Sequence, residues 1–160
     1  MLINANDFLN KIVLTEIKSL IENKKYYTAL LILSHSIETL GALLDNKPFR
    51  AKMQSKRRFN YALKVLFPPE YKKLNHDYYL YNQLRNQMAH LLIPGSYIAI
   101  SDYKNSSKHL VKDKNETLFI NVSTFYNDVN KAAEKLVKMI NEGKVKAVKL
   151  NINDEFENVF

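Results

Sequence analysis

The segment from about Tyr26 to Leu44 constrains this chain most, because it is apolar on almost every side of a helix. Its leucines and isoleucines recur at helical spacing. One stripe consists of Leu30, Leu33, Ile37, Leu40 and Leu44, with Leu31, Ile32 and Leu43 beside it. A helix of this kind buries most of its surface and belongs in the centre of a domain. Only three glycines and four prolines interrupt the chain, so further long helices are expected around it.

Four other segments have apolar residues at a helical period and predict helices that pack around the central one. They lie at about residues 7–24, 51–66, 77–91 and 124–141. In the segment at 77–91 the expected buried stripe is Leu80, Leu84, Met88 and Leu91. Asn6 or Asp7 is expected to cap the first, and Pro68-Pro69 ends the one at 51–66, with a short helical turn at about 70–74 after it. The length of 160 residues fits one domain, residues 1–160. We therefore expect a mainly all-α fold, an up-and-down bundle of four to five helices.

Two β-like runs separate the last two of these helices. They are Tyr97 to Ser101 and Thr117 to Val122, with a polar, turn-rich stretch between them. This pattern predicts a small β-hairpin inserted at about 95–122, although His109-Leu110-Val111 could also pair. The C-terminal tail, about 144–160, is expected to add one strand at Val145 to Leu150 and then fray.

Composition argues against several classes of protein and site. The chain has no cysteine, which excludes disulfides and cysteine-ligated metals. The sequence has no H-E-x-x-H spacing and no glycine-rich phosphate loop, so we expect neither a metal site nor a cofactor. The N-terminus lacks the pattern of a signal peptide, and the most apolar stretch, Ala29 to Leu33, is too short to cross a membrane. A cytoplasmic protein without membrane contact is the expectation.

Positive charge is concentrated in one window of the chain. The formal net charge is +8, and residues 50–73 contain eight basic side chains and one acidic one, a net charge of +7. Such a patch favours polyanions through counterion release, although a lysine-rich solvated face would have the same composition. The candidate RNA-binding residues are Arg50, Lys52, Lys56, Arg57 and Arg58.

The helix at about 77–91 carries the residues best suited to chemistry. Asn82, Asn86 and His90 recur every four residues and form one polar stripe, while Tyr81 and Arg85 form a second pair beside it. Histidine transfers protons near neutral pH, and the arginine fork binds phosphate. Arg85 and His90 lie about 140° apart on a regular helix. They therefore converge across a dimer cleft, or Arg85 has another role.

The string Arg85-Asn86-Gln87-Met88-Ala89-His90 resembles the R-x4-6-H motif of HEPN domains. The context is similar as well, since a long apolar helix precedes the motif and the order of helices over about residues 8–91 and 125–140 is alike. A subset of HEPN toxins has tyrosine two residues after the histidine, where this chain has Leu92.

The resemblance implies a helical bundle that forms a homodimer with two motifs facing one cleft. It also implies a metal-independent endoribonuclease of toxin–antitoxin, abortive-infection or CRISPR systems, with RNA as substrate and an antitoxin or other protein as a candidate partner. Arg85 would stabilise the scissile phosphate, His90 would transfer protons and Asn86 would orient the site, leaving a 2′,3′-cyclic phosphate. Some HEPN domains only bind partners, so a non-catalytic module that binds RNA or protein stays open, as does an unrelated helical interaction protein.

Supporting residues are expected next to this motif. Glu38 lies within the apolar helix, where a buried carboxylate needs a partner. It pairs with Arg85 and orients the site, or it makes an ion pair of the bundle or lies at the surface. Asn82 and Tyr81 are the other candidates for support. Of the remaining histidines, His35 is expected to be a packing residue and His109 to lie in the hairpin loop.

Overall fold

In the computed structural model, which describes residues 2–102, 108–146 and 149–151, helices surround the apolar segment predicted to be central. The helical elements are α1 (Ala5–Asp7), a π-helix (Phe8–Leu14), α2 (Thr15–Glu22), α3 (Tyr26–Leu44), α4 (Ser55–Leu66), α5 (Pro69–Leu74), a 3-10 turn (His76–Tyr78), a second π-helix (Tyr81–Asn86), α6 (Gln87–Leu91) and α7 (Val122–Asn141). The strands are β1 (Leu2–Asn4), β2 (Ile98–Ser101), β3 (Val111–Lys112), β4 (Leu118–Asn121) and β5 (Lys149–Asn151). The protein is thus mainly helical with a small three-stranded sheet and one further strand pair, which agrees with the coarse prediction.

Helix α3 has the predicted bounds and packs against α2, α4 and α7. Its predicted stripe is buried, with Leu30, Leu33 and Leu40 fully inaccessible to solvent. The helix is longer than the apolar core noted in the sequence, and by length and composition it could cross a membrane. However, 61% of its most apolar window is buried inside the protein. The core helix of a soluble protein has the same properties.

Gly41 allows α3 and α4 to approach each other closely. A Cβ atom at this position would lie 2.0 Å from the carbonyl oxygen of Arg58 on α4. Only glycine leaves room for backbone at that distance. This crossing holds the start of α4 against the C-terminal part of α3, three residues beyond Glu38 of the candidate site.

The N-terminal helical run begins slightly earlier than predicted. Asn4, rather than Asn6 or Asp7, caps α1, because its side-chain oxygen accepts the backbone N–H of Asp7 at 2.8 Å. β1 pairs antiparallel with β5. The predicted strand at 145–150 overlaps β5, but β1 carried no strand signal. Residues 147–148 and the predicted fraying end, 152–160, lie outside the described residues.

The predicted hairpin of the two β-like runs is wrong. β2 and β4 are parallel neighbours, and the antiparallel partner of β4 is the short β3, in the order β2-β4-β3. Parallel strands need a connection of about a dozen residues or more, and the chain between β2 and β4 provides one. The alternative pairing through Val111 is the one that forms an antiparallel contact. Residues 103–107 of the connection are not among those described.

The helix that carries the motif, residues 79–91, starts after a sharp turn rather than at Asp77. Asp77 and Tyr78 have positive φ angles of 48° and 60°, which the helical prediction did not include. From there Leu80, Leu84 and Met88 face the core as expected.

Leu91 does not continue this buried stripe, because its side chain is 60% exposed. Leu91 is the last residue of α6, whereas Met88, which also follows the second π-helix, keeps its predicted place in the core. The helix ends at Leu92, which has a φ of 58°. The predicted four-residue stripe is therefore wrong at its last position.

Candidate functional site

Arg85 and Glu38 meet between the motif helix and α3. Arg85 Nη2 lies 2.7 Å from Glu38 Oε2, and the side chains are only 17% and 23% exposed. The pairing of these two residues, one of the alternatives predicted from the sequence, is therefore present. Oε2 has no hydrogen bond of regular geometry, so the contact is an ion pair held by charge and burial.

Ser55 completes this group from a third helix. Its hydroxyl donates to Glu38 Oε1 at 2.5 Å and accepts from Arg85 Nη2 at 3.3 Å. Ser55 is the first residue of α4, which begins four residues later than the predicted Ala51. Sequence reasoning missed this residue, although serine is common where a helix starts. Three helices thus fix the orientation of the Arg85 guanidinium.

The Nε atom of Arg85, unlike Nη2, lacks a hydrogen-bond partner within the described residues. The central carbon of the Arg85 guanidinium lies 5.6 Å from the centroid of the Tyr81 ring, which itself packs edge-on against Phe59. Within the described part of the chain, the buried Arg85 Nε has no hydrogen-bond acceptor. A buried donor of this kind is costly unless an acceptor reaches it. Tyr81 and Glu38 hold the arginine from two sides and leave one donor for a third group.

A cavity of about 220 Å³ opens beside this group. Its lining includes His35, Glu38, Phe49 and Arg85. His35, predicted as a packing residue, is half-buried on α3. Arg85 therefore lies at a concave surface that also carries a histidine from its own chain.

His90 lies apart from this cluster. It is exposed in the last turn of α6, while Asn82 and Asn86 are half-buried. Among the residues that the structure describes, no hydrogen bond joins His90 to Arg85 or to Asn86. The side chains predicted to be catalytic are thus close in sequence, but within a single chain His90 lies at the surface, apart from Arg85.

Arg58 is the clear correction among the predicted RNA-binding residues, because its side chain is only 4% exposed. Its Nε lies 3.1 Å from Asp45 Oδ2, and its two Nη atoms donate to the carbonyls of Phe49 and Pro48 at 2.6 and 2.8 Å. A buried charge needs this full set of partners. Arg58 clamps the loop after α3 onto α4 and cannot contact RNA.

Asp45 holds two arginines in this clamp. Its carboxylate pairs with Arg57 as well as Arg58. Burial raises the pKa of the Asp45 carboxyl, but the hydrogen bonds from Arg58 and from the Lys47 backbone, with the charges of both arginines, outweigh burial and lower that pKa. The carboxylate is therefore ionised throughout the neutral range.

The other four predicted RNA-binding residues are at the surface. Arg50, Lys52, Lys56 and Arg57 are all exposed. The Lys56 ammonium lies 4.0 Å from the centroid of the Tyr78 ring, and Arg57 also pairs with Asp45. These four residues, called the basic surface below, keep the positive charge predicted for this region without Arg58.

A second polar cluster was not identified from the sequence. The hydroxyl of Tyr71, a residue only 2% exposed, donates to Asp128 Oδ2 at 2.8 Å and lies 2.9 Å from His109 Nε2. The backbone N–H of Asn121 donates to His109 Nδ1 at 3.2 Å, which leaves the proton of a neutral ring on Nε2. The predicted hairpin loop is thus fastened to α5 and α7.

Charge and burial shift the pKa values of both Tyr71 and Asp128 in this cluster. Burial, and then the Asp128 charge, raise the pKa of the Tyr71 hydroxyl well above its ordinary value. Burial also raises the pKa of Asp128, but hydrogen bonds from His109 and Tyr71 outweigh it and lower that pKa. The cluster therefore consists of a neutral phenol and an ionised carboxylate.

No group of three or more histidine and acidic side chains in the described ranges is placed to hold a metal ion. Comparisons with protein-family models, with curated proteins and with solved structures find no match to this chain.

Proposed function

We propose that this chain is a HEPN-type, metal-independent endoribonuclease. The observation that carries the proposal is the state of Arg85, whose guanidinium is oriented by Glu38 and Ser55 while its buried Nε has no acceptor. An arginine held in this way is prepared to donate to a phosphate oxygen and to stabilise charge that develops on phosphorus. The resemblance of residues 85–90 to the R-x4-6-H motif supplies the reaction type.

The reaction uses the ribose of the substrate as nucleophile. The 2′-oxygen forms a bond to phosphorus and loses its proton, while the bond between phosphorus and the 5′-oxygen breaks. Arg85 stabilises the phosphorus centre, His90 transfers a proton and Asn86 orients these groups. The products are a 2′,3′-cyclic phosphate and a free 5′-hydroxyl. No bond in this scheme requires a metal or a cofactor.

The exposed position of His90 makes a homodimer part of the proposal. Arg85 is fixed by Glu38 and Ser55 of its own chain, whereas His90 is exposed in the last turn of α6. Across a two-fold axis, the His90 of one protomer approaches the Arg85 of the other. The basic surface then holds the RNA strand through its phosphates. A cytoplasmic toxin or phage-defence component, with an antitoxin or another protein as partner, is the setting we propose.

The ion pair with Glu38 also supports a second candidate function, because it already balances the charge of Arg85. A purely structural arginine would have this partner too. On this alternative the chain is a non-catalytic HEPN-like module that binds RNA through the basic surface, or binds a protein partner.

Cleavage assays on structured and unstructured RNAs, with EDTA present and end-group analysis of the fragments, separate the two functions. Arg85→Lys keeps the charge but loses the planar fork, and a loss of about 10²-fold or more is expected. His90→Gln is expected to lose about 10²- to 10⁴-fold. His76→Gln is the matched control, since His76 is exposed and, among the residues that the structure describes, pairs with Asp77 alone. Salt-sensitive binding without cleavage by the wild type would instead indicate the non-catalytic module.

Mixed dimers test whether the site is shared between protomers. If Arg85 of one chain works with His90 of the other, a heterodimer of Arg85→Ala and His90→Ala protomers has one intact site. An equimolar, freely exchanged mixture should then recover roughly a quarter of wild-type activity. If both residues act within one chain, no activity returns, and the proposed arrangement of the dimer is wrong.

A further inference from the structure

The cavity beside Arg85 contains a histidine that the motif does not include. His35 lines it from α3, one helical turn before Glu38, and Arg85 lines it from the motif helix. Both residues belong to the same chain, so their proximity does not depend on a dimer. Within the described residues, His35 is thus a histidine that shares one cavity with the anchored arginine of its own chain.

The hydrogen bonds of His35 determine which ring nitrogen is available. Nδ1 lies 2.8 Å from the carbonyl oxygen of Leu31, which can only accept, so Nδ1 carries a proton. The Ser34 hydroxyl donates to the same carbonyl and offers its lone pairs to Nδ1 at 3.3 Å, which agrees with this tautomer. Nε2 of the neutral ring therefore has a free lone pair and no hydrogen bond within the described part of the chain.

The size and charge of the cavity limit what can enter it. Its volume of about 220 Å³ is below the roughly 300 Å³ at which small-molecule sites begin, so it suits a single phosphate group rather than a whole nucleotide. Arg58 also lines it, but Asp45 and two carbonyls occupy that guanidinium. The charge of Glu38 is balanced by Arg85, and Ser55 donates a hydrogen bond to its carboxylate. Of the two arginines in the lining, Arg85 is the one with an unsatisfied donor within the described residues.

We propose that His35 and Arg85 form a phosphate-binding subsite, in which the Arg85 guanidinium donates to a phosphate oxygen and His35 Nε2 accepts a proton from the hydroxyl next to that phosphate. The phosphodiester chemistry rests on the proposed function, whereas the binding of phosphate does not. During cleavage the 2′-hydroxyl proton passes to His35 Nε2, the 2′-oxygen bonds to phosphorus and the bond to the 5′-oxygen breaks. His90 gives its proton to that leaving oxygen, so base and acid are different histidines.

Binding is tested first, with inorganic phosphate and the ¹⁵N-labelled full chain observed through its imidazole resonances. Phosphate should shift the His35 signals in a saturable manner, and His76 should respond only to ionic strength. Arg85→Lys should weaken the apparent affinity about tenfold, because a charge-assisted hydrogen bond is lost. A His35 resonance that phosphate leaves unchanged would overturn the subsite, whatever the protein does to RNA.

Cleavage then tests the role of the ring. His35→Asn retains a donor for the Leu31 carbonyl but has no atom at the Nε2 position, and its fold is checked by thermal unfolding. A loss of about 10²-fold or more is expected, with the acid side of the pH profile altered as well as the rate. If this variant cleaves RNA as wild type does, with an unchanged pH profile, His35 is not the base. If wild type binds phosphate at His35 but never cleaves RNA, the subsite stands and the endoribonuclease function fails.

Discussion

The crossing of α3 and α4 at Gly41 predicts a large effect from adding one methyl group. In Gly41→Ala the new Cβ would lie 2.0 Å from the Arg58 carbonyl oxygen, 2.5 Å from its carbonyl carbon and 3.0 Å from its Cα. All three are backbone atoms, so no side chain can rotate away. Since ordinary contacts begin at about 3.4 Å, α4 must move outward by more than about 1 Å.

The cost of this movement has two parts. Forcing extra volume into a packed interior costs about 1–3 kcal/mol, and a backbone contact at 2.0 Å belongs at the upper end of that range. Alanine in place of a helical glycine returns about 0.5–1 kcal/mol. The expected net loss is about 2 kcal/mol, which corresponds to a fall in melting temperature of roughly 4–8 °C for a domain of this size.

Thermal and urea unfolding of Gly41→Ala measure this loss. Gly143→Ala is the matched control, because a Cβ there meets nothing within 4 Å, although its φ of 70° makes alanine strained. The control should lose about 1 kcal/mol and keep the Arg85 site unchanged. Because α4 carries Ser55, Gly41→Ala should also disturb the resonances of Arg85. A variant as stable as wild type would refute the close crossing.

Three further predictions concern the clamp, the second polar cluster and the basic surface. Arg58→Ala leaves the buried Asp45 carboxylate with Arg57 as its remaining cation and should lower the free energy of unfolding in urea by about 3 kcal/mol or more. Because Arg57 is half-exposed, Arg57→Ala should lower it by about 1 kcal/mol or less. Equal losses in the two variants would contradict the burial of Arg58. Asp128 has a lowered pKa, so the stability it contributes is present above about pH 4 and is lost as the pH falls through the folded-state pKa. Unfolding free energies measured from pH 7 downward should therefore fall less steeply in Asp128→Asn than in wild type, and an unchanged pH dependence would show that the cluster does not hold the carboxylate. When log affinity for single-stranded RNA is plotted against log salt concentration, Lys56→Ala should reduce the slope by about 0.7. Lys138 is exposed on α7, and Lys138→Ala should leave that slope unaltered. The same slope in both variants would remove Lys56 from the RNA contacts.

The central helix could be predicted because it depends on a local pattern, whereas the Arg85–Glu38 contact, which joins residues far apart in sequence, was one of several alternatives. Hydrophobic periodicity fixes the face that α3 buries, and a lone carboxylate within such a helix needs a cation. Arg85 was one candidate for that cation, and an ion pair elsewhere in the bundle or a surface position stayed open.

The burial of Arg58 could not be predicted in the same way. It lies among consecutive basic residues, and only the fold of the loop at Asp45 to Phe49 gives it three acceptors. The parallel pairing of β2 with β4 and the link from Tyr71 to His109 likewise join residues far apart in sequence. Such contacts leave no periodic signal.

The second π-helix, Tyr81–Asn86, affects the angular positions of the residues that follow it in the motif helix. Each residue of an α-helix advances the chain by about 100°, so the extra residue in a wide turn rotates everything after it relative to everything before it. Leu80 before the turn and Met88 after it both lie in the core, and His90, two residues beyond Met88, lies about 200° away and is exposed. The direction in which the motif's histidine points is therefore fixed through the buried position of Met88. A single-residue deletion in the second π-helix would redirect His90 without changing any side chain of the motif's chemistry.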